Sequence, residues 1–346
     1  MKTRILLMVT AVAVIAVIAT ACGGAPAASG FRVGLVTDVG KIDDKSFNQS
    51  TWEGVQQAQK DIPGVAEIKY GETTDPKDYD KNIAQFADAK YDVIVTVGFA
   101  LTDATYAAAK KYPNVKFVGI DQFLSKDKDH PDWPLPNLVG VIFDEDKAGF
   151  LAGALAAQMS KTGTIGSVLG TDVVPPVWRF GEGYRAGAKY IKSDINVLVT
   201  YHSDVGFDKT FTDPEWGKTT ALSMIDKKAD VIFGAGGKTG NGALLGAADK
   251  KVFAIGVDTD QYLTVPEAKT YLLSSAMKLL TPSTLNMIKA AKDGTFKAGL
   301  YSGPVGLAPY HDVDAQVPAN VKAKIQEIDK ALQAGTLKTN VPPVKP

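Results

Sequence analysis

Asp92-Val93-Ile94-Val95-Thr96-Val97-Gly98, followed by an alanine-rich stretch and then by Lys116-Phe117-Val118-Gly119-Ile120-Asp121-Gln122, reads as a strand, a helix and a strand, and the chain repeats the unit. In the second half Asp230-Val231-Ile232-Phe233-Gly234 leads through another alanine-rich segment to Val252-Phe253-Ala254-Ile255-Gly256-Val257-Asp258. The spacing between the paired aspartates differs by one residue. Self-similarity over a whole strand-helix-strand unit points to two copies of one architecture.

Working outward from that unit, β-branched runs alternate with longer amphipathic segments, the pattern of strand-helix-strand units around parallel sheets. Strands are expected at 32–37, 66–70, 92–97, 116–120 and 138–143, with helices at 46–60, 78–89, 102–111 and 145–160. The second series has strands near 164–169, 196–201, 230–233 and 252–257 and helices near 178–192, 214–227 and 240–249. A final helix at 318–332 and a loose Pro-rich tail close the chain. The fold class is α/β, with two Rossmann-like lobes of parallel sheet joined by a hinge. Open α/β sheets place ligands beyond the carboxyl ends of their strands. Asp38, Phe99, Asp121 and Asp258 all fall at such ends, so two facing lobes would aim them into one cleft.

The 346 residues carry 38 Lys plus Arg against 38 Asp plus Glu, so net charge gives no hold on nucleic acid. At the start, Lys2 and Arg4 precede an apolar run from Ile5 to Ala19 that is short for a membrane span of about 20 residues and reads as an export signal. Cys22, the only cysteine, cannot form an intramolecular disulfide. Small residues before it and Gly23-Gly24 after it resemble a bacterial lipobox, with Ala19 where Leu is commonest. The expectation is a signal peptide at 1–21, then a lipidated Cys22 and flexible tether at 22–30 that hold the protein outside the cytoplasm on the membrane.

Catalytic and metal signatures are weak. Gly234-Ala235-Gly236-Gly237-Lys238-Thr239 looks like a phosphate loop, but the full pattern needs glycine where Ile232 stands. His130, His202 and His311 are scattered without paired spacing, and there is no G-x-S-x-G elbow. No catalytic residue, metal or cofactor is therefore expected.

Gly34-Leu35-Val36-Thr37-Asp38, Asp43-Asp44-Lys45-Ser46-Phe47-Asn48-Gln49-Ser50 and Trp52-Glu53-Gly54 together resemble the basic membrane protein family. The likeness continues through Gly98-Phe99, Gly119-Ile120-Asp121-Gln122, Gly149-Phe150-Leu151-Ala152-Gly153, Gly256-Val257-Asp258-Thr259-Asp260-Gln261 and Ser275-Ala276-Met277-Lys278. These are lipoproteins of the purine nucleoside receptor type, substrate-binding components of ABC importers with a type I periplasmic-binding-protein fold.

The resemblance implies a nucleoside, purine by preference, held between two aromatic rings. Phe47 matches one ring and Phe211, before Asp213-Pro214, the other, with Phe207 nearby leaving that register open. It further implies Asn48 and Asp121 at the base edge, Asp258 and Lys278 at the ribose, and Asp38, Phe99 and Trp178 close to the ligand. Several have a plainer reading, as a strand-end or turn cap for the aspartates, a core ring for Phe47, a solvated lysine for Lys278 and sheet packing for Trp178. The expected lobes are 31–143 plus 277–302 and 144–276 plus 303–335, with a tail at 336–346. The expected partners are an ABC permease and the membrane, with the protein a monomer and not an enzyme. A receptor for a sugar or another small polar ligand, a nucleoside-cleaving enzyme, a regulator with the same core and a signalling lipoprotein are the competing readings.

Overall fold

A computed structural model describes residues 30–346; the expected export signal and Cys22 lie outside the described residues. The first lobe runs β1 (Phe31–Thr37), α1 (Phe47–Asp61), β2 (Val65–Gly71), α2 (Tyr79–Asp88), β3 (Val93–Val97), α3 (Thr102–Lys111), β4 (Lys116–Ile120) and β5 (Leu138–Phe143). The chain then crosses into the second lobe through α4 (Glu145–Met159), β6 (Thr164–Leu169), α5 (Pro175–Ile191), β7 (Asn196–Tyr201), α6 (Phe207–Thr210) and α7 (Pro214–Asp226). That lobe continues with β8 (Val231–Ala235), α8 (Gly237–Asp249), β9 (Phe253–Asp258), α9 (Gln261–Thr264) and β10 (Leu272–Lys278). Helix α10 (Leu280–Lys292) and strand β11 (Gly299–Gly303) return to the first lobe, and β12 (Val305–Leu307) and α11 (Ala319–Gln333) finish in the second.

Each lobe is built on a six-stranded sheet, ordered β11-β5-β4-β3-β1-β2 and β12-β10-β9-β8-β6-β7. All pairings are parallel except that of β12 with β10. Helices cover both faces, which is why Val93–Val97 and Val231–Ala235 are buried along their whole length rather than on alternate residues. Helix α4 is apolar almost all round because it lies between α5, α11 and strands β10 and β12.

The lobes are joined by three crossings, after Phe143, after Lys278 and after Gly303. Strand β10 keeps Met277 and Lys278 in the second sheet, two residues past the expected boundary, and β11 keeps Gly303 in the first. The expected elements did not include β10, β11, β12 or α10. The sequence Leu272-Leu273-Ser274-Ser275-Ala276-Met277-Lys278 has no clean alternation, because its serines are buried by specific bonds such as Ser274 Oγ to the Ala308 carbonyl (2.7 Å).

The tail is also tied down rather than loose. Leu337 packs on the core of the second lobe, Thr339 Oγ1 donates to Asp146 Oδ2, and Lys345 pairs with Asp172.

Candidate functional site

The site is assembled where the carboxyl ends of the two sheets face each other. Its first contributor is the turn between β1 and α1. Ser46 is the N-cap of α1 by position, yet its side chain makes no capping bond. Asp44 does that work instead, its carboxylate accepting from the backbone N–H groups of Ser46, Asn48 and Gln49 at 2.9–3.1 Å. The Ser46 hydroxyl is thereby free to cross the cleft and donate to Asp258 Oδ2 of the second lobe at 2.7 Å.

The same turn starts α1 with Phe47 and Asn48, which line the cleft together with Asp38, Phe99 and Asp121 of the first lobe. The second lobe contributes Val177 and Phe180 from α5, Phe207 and Phe211 from the segment around α6, and Asp258 and Lys278 from the ends of β9 and β10. The cleft spans ≈ 740 Å³, part of it open to solvent. Phe207 and Phe211 meet edge to face, with centroids 5.6 Å apart.

Lys278 occupies the middle of this arrangement. Its side chain is 3% exposed, its Nζ lies 2.5 Å from Asp121 Oδ2 and 3.6 Å from Asp258 Oδ1, and the Phe47 ring centroid is 4.4 Å away. One ammonium therefore bridges the strand-end aspartates of both lobes. Both aspartates sit in the left-handed backbone region (φ 59° and 65°), which Asp tolerates better than most residues. Burial works against the charge on Lys278, but Asp121, Asp258 and Glu145 together push its pKa up. Burial raises the Asp121 carboxyl while the ammonium pulls it back.

Three further acids depart from ordinary carboxylate behaviour. Enclosure in the cleft wall pushes Asp38 up to about 7, opposed by the Asn48 amide. Burial also pushes Asp44 up to about 7, against the backbone donors that it caps. Glu145, buried at the start of α4, is pushed up to about 8, first by burial and then by the neighbouring Asp121. Arg179 lies 3.0 Å from Glu145, donates to the Phe143 carbonyl at 2.9 Å and pairs with Asp146, so it holds the first crossing between the lobes.

Among the sequence-stretch expectations, Asp38, Phe47, Asn48, Phe99, Asp121, Phe211, Asp258 and Lys278 come together around one cavity, and Trp178 does not. Trp178 stacks on Tyr201 (6.3 Å, 24°), on a different side of α5 from the cleft. Val177 and Phe180 face the cavity in its place, a spacing of three that puts both on one helical face. Asp121 lines the same cavity as Asn48, sharing Lys278 with Asp258 through Oδ2 while its Oδ1 is buried without a partner. Asn48 donates to Asp38 at 3.5 Å, and its side-chain oxygen is buried without a partner.

Sequence reasoning missed Asp44 and Phe180 in the lining and Glu145 and Arg179 behind it, and named Phe207 only as the alternative register to Phe211. Only Phe180 carried a usable signal, its helical spacing from Val177. The phosphate-like loop forms the turn into α8, and Lys238 pairs with Asp43 at 2.7 Å. The histidines are engaged elsewhere: His130 and His311 meet Asp103 and Asp260, and His202 stacks on Trp216.

A family model described as Bmp, ABC transporter substrate-binding protein PnrA-like, matches residues 31–334. The chain is 32% identical to a CD4+ T-cell-stimulating antigen of Listeria monocytogenes, over 91% of this chain and 89% of that one. It is 33% identical to the ABC transporter nucleoside-binding protein BmpA of Lactococcus lactis, over 86% and 87%. An uncharacterized lipoprotein of Pyrococcus abyssi is 32% identical, over 90% of this chain and 74% of its own. In fold, it is similar to an ABC transporter solute-binding protein of Aeropyrum pernix, with TM-score 0.78 at 24% identity over 90% and 94% of the two chains.

Proposed function

The chain belongs to the Bmp family of PnrA-like ABC transporter substrate-binding proteins, and from that premise we propose that its ligand is a nucleoside, purine by preference, closed between the lobes and delivered to a membrane permease. The observation that carries this reading is the set of aromatic rings that both lobes bring to a single cleft around one buried ammonium. A flat base between two rings gains about 1–3 kcal/mol per stacking face in nucleic-acid systems. Phe47 supplies one face and Phe211 the other. Asn48 and Asp38 read the base edge, where an unpartnered amide oxygen awaits a donor. Asp258 and Lys278 take the ribose hydroxyls, the carboxylate accepting and the ammonium donating, while Asp121 holds the ammonium in place.

The charge balance favours a neutral ligand. Asp38, Asp44, Asp121 and Asp258 line the cavity alongside Lys41, Lys238 and Lys278, and Lys238 is already committed to Asp43. A phosphorylated nucleoside would face several acids with few free cations. Delivery follows from shape: only the closed form offers both rings and both polar sets, so ligand selects the form that a permease recognises. The receptor would work as a monomer, tethered outside the cytoplasm through Cys22. Among the described residues no helix is long and apolar enough to cross a membrane.

The test is isothermal titration of the ligand-stripped protein with nucleosides, free bases, ribose and other monosaccharides. One-to-one binding of a purine nucleoside, weaker for the base or ribose alone, is the expected result. Heat from a monosaccharide and none from any nucleoside would overturn the reading.

A further inference from the structure

The first-lobe turn that carries Phe47 touches the second lobe through more than the ligand site. Lys45 has a left-handed backbone (φ 59°). Its carbonyl accepts from Gln261 Nε2 at 3.1 Å and from Thr264 Oγ1 at 2.7 Å. The Asp44 carbonyl accepts from Asn241 Nδ2 at 2.8 Å, and Asp43 pairs with Lys238 at 2.7 Å. All four donors belong to α8 and α9 of the second lobe.

We propose that residues 43–46 are a latch that holds the lobes together by protein–protein hydrogen bonds, independently of ligand, with Gln261 as the positioning residue that couples the latch to the ligand site. Gln261 is fully buried and all of its amide is engaged. Its Oε1 accepts from the Val257 N–H (2.9 Å), immediately before Asp258, while its Nε2 serves both Lys45 and the Asn241 oxygen (2.8 Å). Opening the lobes strips Lys45 and Asp44 from these donors, so buried amides lose partners that water must replace. The strand end bearing Asp258 is therefore set by the same side chain that registers whether the first lobe has arrived.

The inference goes beyond the choice of ligand and is tested without one. Hydrogen exchange would be followed by mass spectrometry on the full chain stripped of ligand, for the parent and for Thr264→Val, Lys238→Ala and Asn241→Ala. The Thr264 hydroxyl makes one hydrogen bond, to Lys45, so its loss removes a latch contact and little else.

In the parent, the amides of residues 43–49 should be protected. In Thr264→Val combined with Lys238→Ala they should exchange about tenfold faster, the equivalent of about 1.4 kcal/mol. Strands β6 and β8 should remain as slow as in the parent. Should Asn241→Ala loosen β8 as well, the pair of half-buried positions, Thr264 and Lys238, still decides. Unchanged exchange at 43–49 in that pair, or parent amides already exchanging at open-loop rates, would overturn the latch.

Discussion

The duplicated units solve the same local problem and then part ways. In the first lobe Gly119 lies two residues before Asp121, and Gln122 folds back so closely that a Cβ on Gly119 would sit 2.1 Å from its Oε1. In the second, Gly256 lies two residues before Asp258, and a Cβ there would meet the Gln261 Oε1 at 2.6 Å. Both glycines make room for a buried glutamine beneath a left-handed aspartate. Gln122 spends its amide on its own sheet, donating to Thr96 Oγ1 (3.1 Å) and the Gly98 carbonyl (3.2 Å). Gln261 reaches across to Lys45 of the other lobe. The aspartates differ likewise, Asp121 being held by an ammonium from the second lobe and Asp258 by a hydroxyl from the first. A repeated fold thus gains a specific closed form when one copy turns a polar group outward where the other keeps it home.

The largest effect should come from the charged partner. Lys278→Met leaves the carboxylates of Asp121, Asp258 and Glu145 without their common cation, and should cost about 3–5 kcal/mol in chemical denaturation. Ser46→Ala removes only a neutral hydroxyl from Asp258 and should cost about 1 kcal/mol. Equal losses would erase the contrast between the two aspartates.

Next comes pH. Asp38 and Asp44 at about 7 and Glu145 at about 8 hold their protons to higher pH than in the unfolded chain. The folded state therefore binds more protons between about pH 4 and 8, and its stability falls as pH rises through that window. The urea midpoint should be lower at pH 8 than at pH 5.5, with each such acid contributing on the order of 2 kcal/mol to the loss of stability, and Asp38→Asn should flatten part of the slope. A flat profile would mean that ion pairing outweighs burial.

Ligand binding compares the lobes directly. Phe47→Ala and Phe211→Ala should each weaken nucleoside binding about tenfold or more by titration, through a lost stacking face of about 1–3 kcal/mol. A large loss for Phe47 alone would shift the second ring to Phe207 or Phe180. The smallest effect belongs to Trp178→Phe. The residue stacks on Tyr201 outside the cavity, so affinity should stay within about twofold, and a larger loss would bring α5's other face into the site.

Much of the architecture could be read because local pattern carries it. Val93–Val97, apolar but for Thr96, and its counterpart Val231–Ala235 are buried throughout, as strands covered on both faces are, and their repetition exposed the two lobes. The cleft aspartates were legible for the same reason, since the end of a parallel strand is a fixed place in such a fold. Strand β10 was not legible, because its serines are buried by partners distant in sequence. Nor was Glu145, which reads as one of several surface acids at a helix start until α5 supplies Arg179 above it.

The sequence by itself determined the layered fold, the duplication and the cleft-forming strand ends, which follow from periodicity and from residues adjacent along the chain. Only the tertiary structure decided that Lys278 joins Asp121 to Asp258, that Asp44 rather than Ser46 caps α1, and that Gln261 reaches the other lobe where Gln122 stays within its own. The physical reason is one of range: hydrophobic period is written locally, whereas the partner of a buried polar group is whichever donor or acceptor the folded chain brings within about 3 Å.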